Sequence, residues 1–173
     1  PDLLDAAELG EDGARKPGTF LPPVDLPRRL WAASDVTFHA ALRVGDEVKR
    51  VSTLVDVAHK AGKSGSLVFA TVEHVLWRRQ EMVLTERQTL AYAGKGASTT
   101  PPASPLPGGC ETVRADAVLL FRYAALGFNG HRIHYDHPYA TTVEGHEGLV
   151  VQGALQATWL LNLAIRRRLT IGP

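Results

Sequence analysis

Phe128-Asn129-Gly130-His131-Arg132-Ile133-His134-Tyr135-Asp136 is the stretch on which the reading of this chain turns. It brings two histidines, an amide and a carboxylate together in one short run. Leu149-Val150-Val151-Gln152-Gly153-Ala154-Leu155-Gln156-Ala157 follows and opens a long apolar helix with Gly153 in its first turn. A general base facing a helix N-terminus suits chemistry on an acyl thioester. The base moves a proton while the first N–H groups of the helix polarise the thioester carbonyl.

Outward from these runs, the chain is ordinary in bulk. Its 173 residues suffice for one domain or two very small ones. Hydrophobic residues make up 45% and charged residues 21%, the balance of a globular chain. A net charge of +1 gives no reason to expect a nucleic-acid partner. No membrane partner is expected either: the longest apolar run, 149–165, is interrupted by Gln152, Gln156 and Asn162. The start, Pro1-Asp2-Leu3-Leu4-Asp5, is acidic and has no signal-peptide pattern. One cysteine, Cys110, excludes an intramolecular disulfide and fits a reducing compartment. The cytoplasm is the expectation and the mitochondrial matrix the alternative. Cys110 follows Gly108-Gly109 and reads as a loop thiol rather than a nucleophile.

Four segments are expected. Residues 1–29, with Gly10, Gly13, Gly18 and five prolines, read as an extended arm. Residues 30–92 read as strands. Val51, Thr53, Val55, Val57 and His59 alternate with polar neighbours at period two, Leu67–Val72 resumes a strand after the turn residues 61–65, and Glu81–Tyr92 gives another. Residues 93–112, rich in Pro, Gly, Ser and Thr, read as a flexible linker. Residues 113–173 begin with an expected strand over 113–123, continue through the motif loop 124–136 and a short helix opened by Pro138, and end in an apolar helix over about 150–168. That helix is apolar on nearly every face, which predicts burial on most sides. Arg166-Arg167-Arg168 complement the negative end of its dipole.

The motif loop resembles the signature of the (R)-specific enoyl-CoA hydratases of the MaoC-like hotdog family, D-x-N-P-(L/I/V)-H-x-D-x-x-Y-A. Here those positions read Asn129, Gly130, His131, Arg132, Ile133, His134, Tyr135, Asp136, then Tyr139 and Ala140. The variant F-N-x-H-R-I-H-Y-D is similar to one branch. It holds the 3-methylfumaryl-CoA (mesaconyl-C4-CoA) hydratases, the itaconyl-CoA hydratases and the type 2 hydroxyacyl-thioester dehydratases. Leu120-Phe121-Arg122-Tyr123, Phe20-Leu21-Pro22-Pro23-Val24 and Arg28-Arg29-Leu30-Trp31-Ala32 fit it too, so the likeness runs through most of 18–168.

The resemblance implies an α+β hotdog fold, a curled antiparallel sheet around a long buried helix. Longer members carry two such units. Against that layout residues 30–92 resemble the strands of a first unit and 113–173 the catalytic loop and central helix of a second. The chain then reads as a double-hotdog relative incomplete at both ends. The implied activity is reversible hydration of a 2-enoyl thioester to a 3-hydroxyacyl thioester. The implied carrier is CoA, with acyl carrier protein as second choice, and a branched dicarboxylic acyl group such as mesaconyl or itaconyl is among those the resemblance implies. A non-catalytic acyl-thioester-binding subunit is the alternative, and a thioesterase a third. No cofactor is implied beyond the thioester substrate. The expected partners are acyl-CoA and further copies of the chain, as a homodimer or larger.

The resemblance makes His134 the candidate base, and imidazole titrates near neutrality. Asn129 stands where the (R)-hydratases carry an aspartate. An amide cannot take up a proton, so Asn129 is expected to hold water or substrate by hydrogen bond. Gly153 admits the substrate carbonyl close to a helix N–H, or else serves tight packing. Arg132 either binds a second carboxylate on the acyl chain or pairs with Asp136 or Glu144. Asp136 orients an imidazole or anchors the loop. His131 reads as structural or substrate-facing. Gln152 stands where many relatives have histidine, and Gln156 lies one turn on, facing a possible acyl tunnel. Histidines at 131, 134, 137 and 146 invite a metal reading, but the resemblance accounts for them and no metal is expected. Ala93-Gly94-Lys95-Gly96 lacks the spacing of a phosphate loop, and no Ser-centred nucleophile elbow occurs.

Overall fold

A computed structural model describes residues 4–18, 20–62, 65–94 and 110–167. Most of the expected linker, 95–109, lies outside the described residues, as do Lys63, Ser64 and Arg168. The described residues form two compact units, one from 17–94 and one from 4–16 together with 110–167.

The first unit is a four-stranded antiparallel sheet of β1 (Arg28–Phe38), β2 (Lys49–Gly62), β3 (Gly65–Arg78) and β4 (Glu81–Ala93), ordered β1-β4-β3-β2. The segments 50–60, 67–72 and 81–92, read as strands, lie within β2, β3 and β4. β1 starts directly after Pro27, which has no N–H to give to a ladder. The β3–β4 connection is a two-residue turn closed by the Arg78–Glu81 pair, with Arg79 at φ +55°. Bulges between Trp31 and Ala33 and between Leu54 and Asp56, with a third irregularity at Leu76/Trp77, bend these long strands and curl the sheet. Ala70 and Val72 of β3 and Val83, Ala91 and Ala93 of β4 are buried.

The second unit carries the motif loop. The strand expected over 113–123 is instead helix α1 (Ala117–Leu126). Asp116 caps it, its carboxylate accepting the Leu119 N–H at 2.9 Å. Ala117, Leu119, Leu120, Ala124, Ala125 and Leu126 are strong helix formers, and the buried pair is Leu120 and Ala124, four apart. A short apolar run does not reveal its period, and here the cap decides. Next come a 3-10 turn at Arg132–His134, a π-helical turn at Tyr139–Val143 where a short helix was expected, and α2 (Gly153–Arg166).

The expectation that the last helix is buried on most sides is not met. Along α2 only Leu155 is buried, and Leu160, Leu161 and Ile165 are exposed. Burial on every side needs a covering surface for each apolar stripe. Among the described residues only the Leu155 side is fully covered.

Candidate active site

The motif loop is built at the end of α1. Asn129 N–H donates to the Ala124 carbonyl at 2.8 Å and Phe128 N–H to that of Ala125 at 3.1 Å, the paired bonds that close a helix through a left-handed residue. That residue is Phe128, at φ +48°, a position that favours glycine or asparagine. Asn129 then turns the chain, its Oδ1 accepting the His131 N–H at 3.1 Å. The side-chain amide N–H groups of Asn129 are not used in that turn.

The N-terminal arm crosses this loop in backbone contact. Arg132 N–H donates to the Asp12 carbonyl at 2.8 Å. A Cβ on Gly13 would lie 1.9 Å from the Gly130 carbonyl oxygen, and one on Gly130 would lie 2.4 Å from that of Gly13. Two glycines are needed for the strands of chain to pass so closely.

His134 is buried and tied at two levels. Val150 N–H donates to the Ile133 carbonyl at 2.9 Å, and His134 Nδ1 lies 2.7 Å from the Val150 carbonyl oxygen. A carbonyl only accepts, so Nδ1 carries the proton and Nε2 keeps a free lone pair. Burial pushes the imidazole down to about 4, against a raising effect from the Val150 bond. His134 is therefore a neutral imidazole at pH 7, with Nε2 as its basic atom. Val150 stands three residues before Gly153, so the imidazole's anchor is within about 10 Å of chain of the first residue of α2.

The His131 ring meets the His134 ring edge to face, centroids 5.4 Å apart at 82°. His131 Nε2 lies 3.6 Å from Glu144 Oε1 and 3.9 Å from Asp12 Oδ2, and His146 Nε2 lies 3.3 Å from Glu144 Oε2. Glu144 is 1% exposed. Burial alone would raise its carboxyl, but the His131 and His146 imidazoles outweigh that and hold it below the ordinary carboxylate value. His137 is exposed, apart from this buried cluster. Among the described residues no group of three side chains has the arrangement of a metal site.

Arg132 and Asp136 are committed to each other. The guanidinium donates from Nε and Nη2 to Asp136 Oδ2 at 3.0 and 2.8 Å, and lies over the Tyr139 ring at 4.0 Å. Asp136 Oδ1 accepts the Tyr139 N–H at 3.0 Å and so starts the π-helical turn. These bonds lower the Asp136 carboxyl, the Tyr139 N–H first and Arg132 next. Of the two roles open to each residue in the sequence, the loop-anchoring contact is the one made.

Gln152 precedes α2 and is buried, its Nε2 donating to the Leu120 carbonyl of α1 at 2.9 Å. It is a strut between the two helices. Gln156 is exposed and donates to the Val151 carbonyl at 3.3 Å. No side chain caps α2, so its first-turn N–H groups at Gly153 and Ala154 make no side-chain cap bond.

An open cavity of about 440 Å³ lies beside the loop. Phe121, Ala124 and Ala125 of α1 form one wall, Phe128, Asn129 and Gly130 another, and Arg15 of the arm brings a cation. Asn129 lines it; His134, Gly153, Gln152 and Gln156 do not. Sequence reasoning gave Gly13 and Arg15 no part in the site, weighed His146 only as a metal ligand and offered Glu144 only as a partner for Arg132. An acid between Val143 and Gly145 was the one visible signal among these, while the glycine crossing leaves none.

The class follows from superposition. The chain matches the crystal structure of HtdX from Mycobacterium tuberculosis with a TM-score of 0.62, at 19% identity over 83% of this chain and 57% of that one. It matches a MaoC-like dehydratase with a TM-score of 0.56, at 18% identity over 78% of this chain and 53% of that one. The fold is that of the MaoC-like hotdog proteins. The profile of the hydroxyacyl-thioester dehydratase type 2 family matches residues 2–171, and the chain belongs to that family. It is 40% identical over 163 residues to mesaconyl-C(4)-CoA hydratase of Chloroflexus aurantiacus, covering 91% of this chain and 58% of that protein. It is 29% identical to the mitochondrial hydroxyacyl-thioester dehydratase type 2 of Schizosaccharomyces pombe, covering 80% of this chain and 54% of that protein. The chain thus spans little more than half the length of these relatives. The resemblance read from residues 129–140 is borne out.

Proposed function

We propose that this chain carries hydro-lyase chemistry: reversible addition of water across the C2–C3 double bond of a 2-enoyl thioester, giving a 3-hydroxyacyl thioester. The observation that carries the reading is His134, neutral at pH 7, with Nδ1 anchored and Nε2 free. Nε2 takes a proton from water as the water oxygen bonds to C3. The displaced electron pair moves onto the thioester oxygen, where the Gly153 and Ala154 N–H groups receive the charge. The enolate collapses, and the proton held on His134 passes to C2. Asn129 positions water or substrate through its amide N–H groups. The carrier is CoA, and the acyl group a dicarboxylic one, following the name of the relative at 40% identity.

The partners proposed are acyl-CoA and a second copy of the chain, which would cover Leu160, Leu161 and Ile165. No helix among the described residues is long and apolar enough to cross a membrane. The compartment proposed is the cytoplasm, where the exposed thiol of Cys110 stays reduced. A binding-only role is the second reading, favoured by the fact that the cavity is lined by Asn129 and not by His134.

The test is loss of enoyl-thioester ultraviolet absorbance with mesaconyl-CoA and crotonyl-CoA, in the parent and in His134→Ala. Turnover that falls about 10² to 10⁴-fold in the variant supports the lyase. Equal turnover in both removes His134 from the chemistry. Saturable binding without turnover identifies the binding module, and thiol release without hydration identifies a thioesterase.

A further inference from the structure

The buried charge behind His134 is unexplained by proton transfer at Nε2. Glu144 is delivered to the interior by the π-helical turn Tyr139–Val143, its N–H bonded to the Tyr139 carbonyl at 3.3 Å. Such turns are rare and frequently occur at functional sites. Gly145, at φ +71°, reverses the chain immediately after, and His146 N–H returns to the Ala140 carbonyl at 2.9 Å. Both carboxylate oxygens therefore face imidazoles, Oε1 toward His131 and Oε2 toward His146. A carboxylate this buried is costly unless it is paired. Oε2 has the His146 hydrogen bond, while Oε1 and His131 Nε2, 3.6 Å apart, make no hydrogen bond and attract through charge alone.

We propose that Glu144 is a positioning residue of the hydratase centre: its carboxylate fixes the His131 ring, and the edge-to-face contact of His131 fixes the plane of His134 and sets a negative charge behind it. The inference rests on the proposed role of His134 as base. His134 Nδ1 is held by the Val150 carbonyl, and one hydrogen bond by itself does not fix the plane of a ring. The His131 ring packs against it, centroids 5.4 Å apart and planes at 82°, and limits that rotation. The charged and titratable groups around His134 are His131 on its own loop and Glu144 and His146 on the turn that follows, with Asp12 of the arm beyond His131. Glu144 raises the basicity of His134, and His131 and His146 lower it. Asn129 shares the clamp indirectly, because the His131 N–H bonds its side chain.

The test uses Glu144→Gln, Glu144→Asp and His146→Gln, with two readouts. One is proton NMR titration of the His134 ring, assigned by its disappearance in His134→Ala. The other is kcat and KM on an enoyl-CoA. Glu144→Gln is expected to move the His134 midpoint to lower pH and to reduce kcat tenfold or more with KM within about twofold. Glu144→Asp should recover part of both. If the Gln variant does not fold, His146→Gln replaces it, and the expected shift is then to higher pH. The inference is overturned if no variant that folds moves the His134 midpoint, or if Glu144→Gln keeps the parent kcat. A parent that titrates as described but turns over no enoyl thioester would sink the proposed reaction and leave the positioning of His134 by Glu144 intact.

Discussion

Gly13→Ala should be the most damaging small substitution in the chain. Gly13 sits at φ +76°, where an L side chain costs about 1–2 kcal/mol. Its new Cβ would also lie 1.9 Å from the Gly130 carbonyl oxygen, against 3.4 Å for ordinary contact, so arm and loop must part by 3.4 − 1.9 = 1.5 Å. Forcing extra volume into a packed contact costs about 1–3 kcal/mol more. The two costs can be separated. Gly45 has φ +96° and nothing within 4 Å, so Gly45→Ala carries the backbone cost alone. Gly130→Ala meets the Gly13 carbonyl at 2.4 Å without a left-handed φ, so it carries the contact cost alone. Urea unfolding should rank Gly13→Ala as the sum of the other two, about 2–5 kcal/mol. Turnover should fall about 10²-fold in Gly13→Ala, because a displacement of order 1 Å in a catalytic loop has that effect. It should be unchanged in Gly45→Ala. A Gly13→Ala protein no less stable than Gly45→Ala, with parent turnover, would show that the arm does not hold the loop.

Three further outcomes are expected. The His134 imidazole falls from about 6.5 unfolded to about 4 folded. The unfolded chain thus binds the extra proton between those values, and stability should be full above pH 6.5 and drop by about 3 kcal/mol on reaching pH 4. Glu144 adds to the acid loss only below its ordinary carboxyl range, so urea unfolding of His134→Gln between pH 6.5 and 5 should show the slope removed. Arg132→Ala and Asp136→Asn should lower Tm and turnover alike if their pairing only anchors the loop. A rise in KM for a dicarboxylic but not a monocarboxylic acyl-CoA, confined to Arg132→Ala, would instead make Arg132 a substrate contact. Phe128→Asn should raise stability by about 1 kcal/mol, since asparagine accepts the left-handed φ and Phe128 is 62% exposed. Its KM should also rise if the cavity wall holds the acyl group, and an unchanged KM would place the substrate elsewhere.

The three strands of the β2–β4 meander were legible because period-two alternation and turn residues are local properties of the chain. The helical character of 153–166 was legible for the same reason. α1 was not, because Val118-Leu119-Leu120-Phe121 satisfies both periods, and the deciding signal was one capping aspartate just ahead of it. The motif match singled out His134 and Asn129, and Gly153 was read separately from the start of the apolar helix. It could not give the partners of Arg132, since Asp136 and a second carboxylate offer a guanidinium the same chemistry.

Sequence by itself determined the family and the residue types of the loop, because the spacing of Asn129, His131, His134 and Asp136 is written along one uninterrupted stretch. It also determined that Val150 and Gly153 lie on one short segment entering α2. Only the tertiary structure decided which nitrogen of His134 is free, since that depends on a carbonyl sixteen residues away. Only it brought Gly13 against Gly130, and Glu144 and Asp12 around His131. Those contacts are set by where the backbone crosses itself, and the strength of a buried charge pair depends on distance and burial, neither of which the order of residues encodes locally.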